Sequence, residues 1–167
     1  MMLTHRPCCM TADISIRRAR IAEAPEIALM VGELLAEIMT ATGVPAFNFD
    51  LPEATRRLAD FMAEEKYFVF LALAGDALIG FVTACESYAL YAEGMFGTIP
   101  EFYIRPPFRS KQLGSQLLAS LKAFGRDRGW TRLEVTTPPL PEFDRTLAFY
   151  EREGFSIAGG RKLRITL

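Results

Sequence analysis

The stretch from Tyr67 to Cys85, YFVFLALAGDALIGFVTAC, constrains this chain more than any other. It is long and apolar enough to suggest a membrane span. Its centre is Gly75-Asp76, however, a turn dipeptide that would put a carboxylate in mid-bilayer. The flanking halves are rich in Phe, Val and Ile, residues that suit strands. The stretch therefore predicts two apolar strands joined by a tight turn. The chain should be organised around a sheet, and no membrane partner is expected.

The rest of the chain alternates helical and strand patterns around that hairpin. ISIRRAR (residues 14–20) reads as a strand. It leads into a helix with Pro25 in its first turn, Ile27, Val31, Leu34, Leu35 and Ile38 on one face, and Gly43 beyond its end. Asp50 is placed to cap a second helix, with Pro52 in the first turn and Glu53 at capping-box spacing. The inner face of this helix reads as Ala54, Leu58, Phe61 and Met62. After the hairpin, residues 86–97 read as a polar and aromatic connection, and TIPEFYI (98–104) as one strand. The basic loop RPPFRSKQ opens a helix carrying Leu113, Leu117, Leu118, Leu121 and Phe124 on its apolar face, closed by Gly129. TRLEVTT alternates as a half-buried strand does, DRTLAFYERE forms a short helix before Gly154, and a last hairpin turns at Gly159-Gly160. The expectation is one α/β domain of the α+β type over residues 12–167. It should hold a mostly antiparallel mixed sheet of six to seven strands and about four helices.

A chain of 167 residues, half of them hydrophobic, buries enough surface to fold without disulfides or a metal. Nineteen basic against twenty acidic residues give a net charge of −1, which argues against nucleic acid or an anionic membrane as partner. Residues 1–11 carry no periodicity and read as a tail without the apolar core of a signal peptide. An odd number of cysteines, with Cys8 and Cys9 adjacent, makes no disulfide framework and points to a reducing, cytoplasmic compartment. His5, Cys8 and Cys9 lack the partners a metal site needs, so no metal is expected. Cys85 reads as a small core hydrophobe.

The unit from Thr98 to Gly129 holds the chemistry. A helix N-terminus has unpaired N–H groups and a partial positive charge, which suit a phosphate. Arg109 and Lys111 stand just before that terminus, and Gly114 and Ser115 lie in its first turn. Taken alone, the same residues make an ordinary helix start behind a solvated basic loop. Neither P-loop nor Rossmann glycine spacing is present.

EFYIRPPFRSKQLGSQLL, succeeded downstream by LAFYEREGF, resembles the GNAT superfamily of acetyl-CoA-dependent N-acetyltransferases. Arg109 and Gly114 match the ends of that family's Q/R-x-x-G-x-G/A loop, and Phe149, Tyr150, Gly154 and Phe155 match its later helix pattern. The order of elements over residues 12–167 agrees with the family too. Two departures stand out: Gln112 occupies the loop's inner glycine position, and Phe143 and Thr146 replace the usual Asn and Ala. The resemblance implies a GNAT-like fold and direct acetyl transfer from acetyl-CoA to a primary amine. It implies that the N–H groups of Lys111, Gln112, Leu113, Gly114 and Ser115, with the Arg109 side chain, hold the pyrophosphate. Main chain near Tyr103 and Ile104 would line the pantetheine arm and polarise the thioester carbonyl. Tyr150 would protonate the departing thiolate, and Glu101 would be the general base.

The plain alternatives are a solvated strand residue for Glu101 and a packed aromatic for Tyr150. Phe47, Phe49, Tyr88 and Tyr91 would flank the acceptor cleft or form core edges. Glu86 and Glu93 would draw in a cationic acceptor or lie on a solvated surface. The acceptor amine belongs to a small molecule or to a protein or peptide, and a homodimer is consistent with the family. A non-catalytic acyl-CoA sensor and a transferase of another acyl group are the competing functions.

Overall fold

The computed structural model describes residues 13–109, 112–158 and 162–165. They divide into two compact units, the first running to Thr136 and the second starting at Thr137. The expected boundary between tail and domain at residue 12 lies outside the described residues, as do His5, Cys8 and Cys9.

In the first unit, β2 (Tyr67–Ala74) and β3 (Ala77–Ala89) form the expected hairpin, paired from Tyr67 opposite Cys85 to Ala74 opposite Ala77. Gly75 takes the left-handed conformation at the turn, with φ +60°. β1 (Ile14–Arg18) adds to the outer side of β2, and β4 (Gly94–Ile99) pairs with the far half of β3. β5 (Phe102–Ile104) pairs with the near half of β3, and β6 (Leu133–Val135) lies parallel to β4. Among the described residues the result is a six-stranded mixed sheet with one parallel pair.

α1 (Ala24–Thr42) and α2 (Leu51–Ala63) cover one face, where Ile27, Met30 and Leu58 pack with Val69, Leu71, Phe81 and Tyr103. α3 (Leu113–Asp127) covers the other through Phe124, whose ring meets those of Phe68 and Phe70. Trp130, just beyond α3, fills the space left by Gly97 and Gly125, where an added Cβ would overlap its ring. The second unit contains α4 (Asp144–Arg152).

Four details depart from the expected pattern. Residues 86–97 are not a connection: β3 runs on to Ala89 and pairs with β4 around a short 3-10 turn at Leu90–Ala92. The last expected hairpin is not formed among the described residues, since 155–158 and 162–165 carry no strand, and its glycine turn lies outside them. Asp50 caps α2 by accepting the Glu53 N–H at 2.8 Å, but the Glu53 carboxylate turns to Arg56 and Arg57 instead of completing a capping box. The fourth detail shapes the site. The strand expected over 98–104 is two strands, broken at Pro100, which has no N–H for the ladder. Cys85 faces Thr98 while Val82 faces Phe102, so the three residues 99–101 stand opposite the two residues 83–84. This is a β-bulge, and its one extra residue moves the next side chains to the opposite face of the sheet.

Candidate functional site

The bulge explains where Glu101 points. Gly97, on the same strand, has its α-carbon against the Trp130 ring on the α3 side of the sheet. Unbroken alternation would put Glu101 on that side as well. Shifted by one residue, its carboxylate instead meets Tyr67 and Thr83 on the side of α1 and α2. The Tyr67 hydroxyl donates to Glu101 Oε2, and Thr83 Oγ1 donates to the same oxygen at 2.5 Å. Thr83 Oγ1 also accepts the Glu101 N–H at 2.9 Å, and the Thr83 N–H donates to the Glu101 carbonyl at 2.9 Å. The bulge therefore leaves no backbone group of Glu101 without a partner. Burial, and then the Glu101 charge, push the Tyr67 hydroxyl well above the ordinary phenol range, so it remains a donor. The same two causes raise the Cys85 thiol, whose half-buried place on β3 fits an inert side chain.

Glu101, Tyr67 and Thr83 line a cavity of about 150 Å³ whose apolar walls include Val31 from α1 and Leu58 and Phe61 from α2. Arg57 of α2 completes its lining. Sequence reasoning missed Tyr67, Thr83 and Arg57. The only signal for the first two was a hydroxyl at each of two positions in otherwise apolar strands. A second cavity, lined by Phe49, Asp50 and Glu53, adjoins the first through Ala54 and Arg57.

β5 has a strand neighbour only on its β3 side among the described residues. Across that ladder the Thr83 N–H donates to the Glu101 carbonyl and the Arg105 N–H donates to the Ile79 carbonyl. By antiparallel alternation the N–H and C=O of Ile104 point the other way. The Ile104 carbonyl accepts Arg109 Nε at 2.8 Å. Tyr103 is buried, and its ring lies 5.5 Å beneath the Arg109 guanidinium. Arg109 also pairs with Glu37 of α1 at 2.7 Å, one turn beyond the bidentate Arg105–Glu33 pair. The two arginines thus dock the end of β5 and the adjoining loop onto α1.

Gln112 stands at the N-cap of α3 with φ +59°, and its own side chain makes no capping hydrogen bond. Its left-handed backbone is the conformation glycine adopts most readily, which accounts for the glycine usual at this position of the motif. Leu113, Gly114 and Ser115 form the first turn, and Lys111 lies outside the described residues.

Tyr150 belongs to α4 in the second unit, where its buried ring meets Phe149 and Phe155 edge-on. Burial raises its hydroxyl above the ordinary phenol range. Glu86 is a structural anchor: its carboxylate accepts Arg128 Nε at 2.7 Å, Trp130 Nε1 at 3.0 Å and the Tyr88 hydroxyl at 2.9 Å. Burial would raise its pKa, and these hydrogen bonds outweigh that and hold it below the usual range. Among the described residues, no group of His, Cys, Asp and Glu is disposed to hold a metal ion, and no helix is long and apolar enough to cross a membrane.

Comparison with known proteins adds to this geometry. The aminoalkylphosphonate N-acetyltransferase of Salmonella typhimurium is 32% identical over 87 residues, 51% of this chain and 54% of that protein. The chain thus spans about half the length of the curated relative it matches. A structure from Arthrobacter sp. FB24, classed as an acetyltransferase, is 28% identical with a TM-score of 0.69, covering 92% of each chain. A Clostridium acetobutylicum protein classed as an acetyltransferase and solved with acetyl-CoA shares the fold, with a TM-score of 0.76 at 15% identity over 92% of this chain and 96% of its own. Residues 33–155, which span the sheet and the start of α3, match one family profile, and the chain belongs to the acetyltransferase (GNAT) family.

Proposed function

We propose that this protein is an N-acetyltransferase that moves an acetyl group from acetyl-CoA directly to the primary amine of a small molecule, with Glu101 as general base. The observation that carries the reading is the Glu101 carboxylate in a cavity with apolar walls. One of its oxygens is saturated by Tyr67 and Thr83, and the other accepts no hydrogen bond from a described residue. An amine at neutral pH is mostly an ammonium and must lose a proton before it attacks. Oε1 of Glu101 takes that proton, while the two hydroxyl donors hold the carboxylate in place.

The donor supplies an activated acetyl thioester. The residues present suit it: the first turn of α3, whose N-cap residue Gln112 makes no side-chain cap, points N–H groups toward a pyrophosphate. The outward main chain of Ile104, next to Tyr103, offers a hydrogen bond along an extended arm. Arg109 joins the phosphate contact by exchanging or sharing Glu37. Tyr150, neutral because burial favours its protonated form, serves as proton donor to the leaving thiolate. A small-molecule acceptor is supported by the modest cavity and by the aminoalkylphosphonate in the name of the curated relative. The cysteine pattern supports a cytoplasmic location.

The test is thiol release from acetyl-CoA across a panel of primary amines, with donor binding measured calorimetrically. Turnover that falls roughly 10²- to 10⁴-fold in Glu101→Gln, at unchanged donor affinity, is the expected result. Tight acetyl-CoA binding with no amine turned over would favour an acyl-CoA sensor instead.

A further inference from the structure

Among the described residues lining the Glu101 cavity, only Glu101 and Arg57 carry charge. Glu101 stands on the sheet beside buried Thr83, whereas Arg57 projects from α2 with 61% of its side chain exposed. The walls between them are hydrocarbon, from Val31, Leu58 and Phe61. Arg57 makes one bond, from Nε to Glu53 Oε1 at 2.9 Å, and its two terminal nitrogens bond no described residue. Glu53 is shared with Arg56, whose guanidinium binds it through two nitrogens. Arg56 also pairs with Asp60 at 2.8 Å, so charge within this cluster is balanced, and what Arg57 offers at the cavity's rim is its two unused terminal nitrogens.

We infer that the acceptor is a small amphoteric amine, a primary amine joined through a short hydrocarbon to an anionic group. Its ammonium end meets Glu101, its carbon chain lies on the apolar walls, and its anion bonds the terminal nitrogens of Arg57. The inference rests on the proposed transferase reading and adds the acceptor class and a specificity-determining residue. A cavity with one anion and one cation, separated by apolar surface, is complementary to a ligand of the opposite polarity along the same axis. A guanidinium recognises carboxylate and phosphonate alike, in a two-pronged geometry. At about 150 Å³ the cavity is below the roughly 300–1,000 Å³ that enclose drug-sized ligands. This fits a molecule of a few heavy atoms. A polycationic acceptor would use Asp50 and Glu53 in the adjoining cavity, but Glu53 is already neutralised by Arg56 and Arg57.

The test compares 3-aminopropanoate and 2-aminoethylphosphonate with propylamine and spermidine as acceptors. Parent, Arg57→Gln, Arg57→Lys and Glu101→Gln forms are used after thermal unfolding shows each to be folded. The parent should prefer at least one anionic amine over propylamine by about 10- to 100-fold in kcat/KM, the size of one charged hydrogen-bond contact. Arg57→Gln should collapse that preference, mainly through KM, and Arg57→Lys should keep part of it. The relative rates of carboxylate and phosphonate then say which anion fits. Equal use of propylamine and the anionic amines, a preference that survives Arg57→Gln, or spermidine as the best acceptor would each overturn the inference. Calorimetric binding of 2-aminoethylphosphonate and 3-aminopropanoate separates this from the transferase reading. Arg57-dependent binding without turnover would sink the reading and keep the anion contact, whereas turnover of propylamine alone would do the reverse.

Discussion

Thr83 holds Glu101 through both side chain and main chain. Its Oγ1 donates to the carboxylate at 2.5 Å and accepts the Glu101 N–H at 2.9 Å, and its own N–H donates to the Glu101 carbonyl at 2.9 Å. The hydroxyl takes the place of a backbone carbonyl in an unbroken ladder. Thr83→Val keeps the shape and removes the hydroxyl, leaving the Glu101 N–H without its acceptor beside a residue only 1% exposed. A stability loss of about 1–3 kcal/mol is expected. Because the carboxylate is also released, kcat should fall more than acetyl-CoA affinity. Thr83→Ser should recover most of both, as urea titration and steady-state kinetics will read. If Thr83→Val matches the parent in kcat, Tyr67 alone suffices to orient Glu101.

The bulge also marks where the sequence stops being legible. The hairpin over 67–85 and the three helices of the first unit arise from periodicity, turn residues and caps, all of them local signals. Pro100 announces a break in the strand, but the side on which the chain resumes depends on Thr83, a neighbour in space. Glu101 was therefore visible as a candidate while its partners were not. Tyr67 and Thr83 sit inside strands whose apolar character dominates the reading, and Arg57 looks like any solvated helix residue until α2 is folded against α1. The polar stretch 86–97 misled for the opposite reason: Glu86 and Ser87 read as loop, yet Glu86 is neutralised by Arg128 and accepts a hydrogen bond from Trp130, and Ser87 pairs with Thr98 at 2.8 Å.

Arg109 is held by Glu37 before any donor arrives. Both side chains are partly exposed, so the pair is worth little and is screened by salt. Glu37→Gln should free the guanidinium for phosphate and tighten acetyl-CoA by about 2- to 5-fold at low salt, less at high salt. Arg109→Ala should weaken binding with the same salt dependence. Calorimetric titration at two ionic strengths checks both, and no change in either variant would place the pyrophosphate away from Arg109.

Gln112 carries a side chain at φ +59°. For an L-residue this conformation costs about 1–2 kcal/mol, partly returned by the lower entropy of a non-glycine chain when unfolded. Gln112→Gly should raise stability by about 0.5 kcal/mol, near 1–2 °C in melting temperature, and keep or improve acetyl-CoA affinity. Gln112→Val should lose about 1 kcal/mol or more, because a branched Cβ tolerates this conformation less well. Differential scanning calorimetry with and without acetyl-CoA separates the backbone effect from the ligand effect.

Glu23 ties β1 to the start of α1. Arg17 donates to both carboxylate oxygens, at 2.9 and 2.5 Å, and the Arg20 N–H donates at 2.7 Å. The Arg17 hydrogen bonds, with lesser help from Arg20, hold this carboxyl far below its ordinary range despite burial that opposes them. A carboxyl depressed in the folded state stabilises fully above its unfolded pKa, near 4.3, and loses that contribution as pH falls toward the folded value. Glu23→Gln should therefore cost about 1–2 kcal/mol at pH 7 and progressively less below pH 4. Urea midpoints at the two pH values measure this, and an equal cost at both would mean that the charge contributes nothing.

The proposed reaction gives Tyr150 the acid step, and its environment sets what its loss should do. Burial keeps the hydroxyl protonated across the working range, so it is available as a proton donor to a departing thiolate. Tyr150→Phe removes the hydroxyl and keeps the ring that meets Phe149 and Phe155, so the local packing should persist and acetyl-CoA affinity should change little. The expected loss is roughly 10²-fold or more in kcat, with KM for the amine nearly constant. A donor whose thiol is more acidic leaves without help, so the variant's deficit should shrink as the leaving-group pKa falls. Parent and variant compared over acyl thioesters of graded thiol acidity give that slope. Equal slopes, or full turnover by Tyr150→Phe, would assign the proton to water and leave Tyr150 a packing residue.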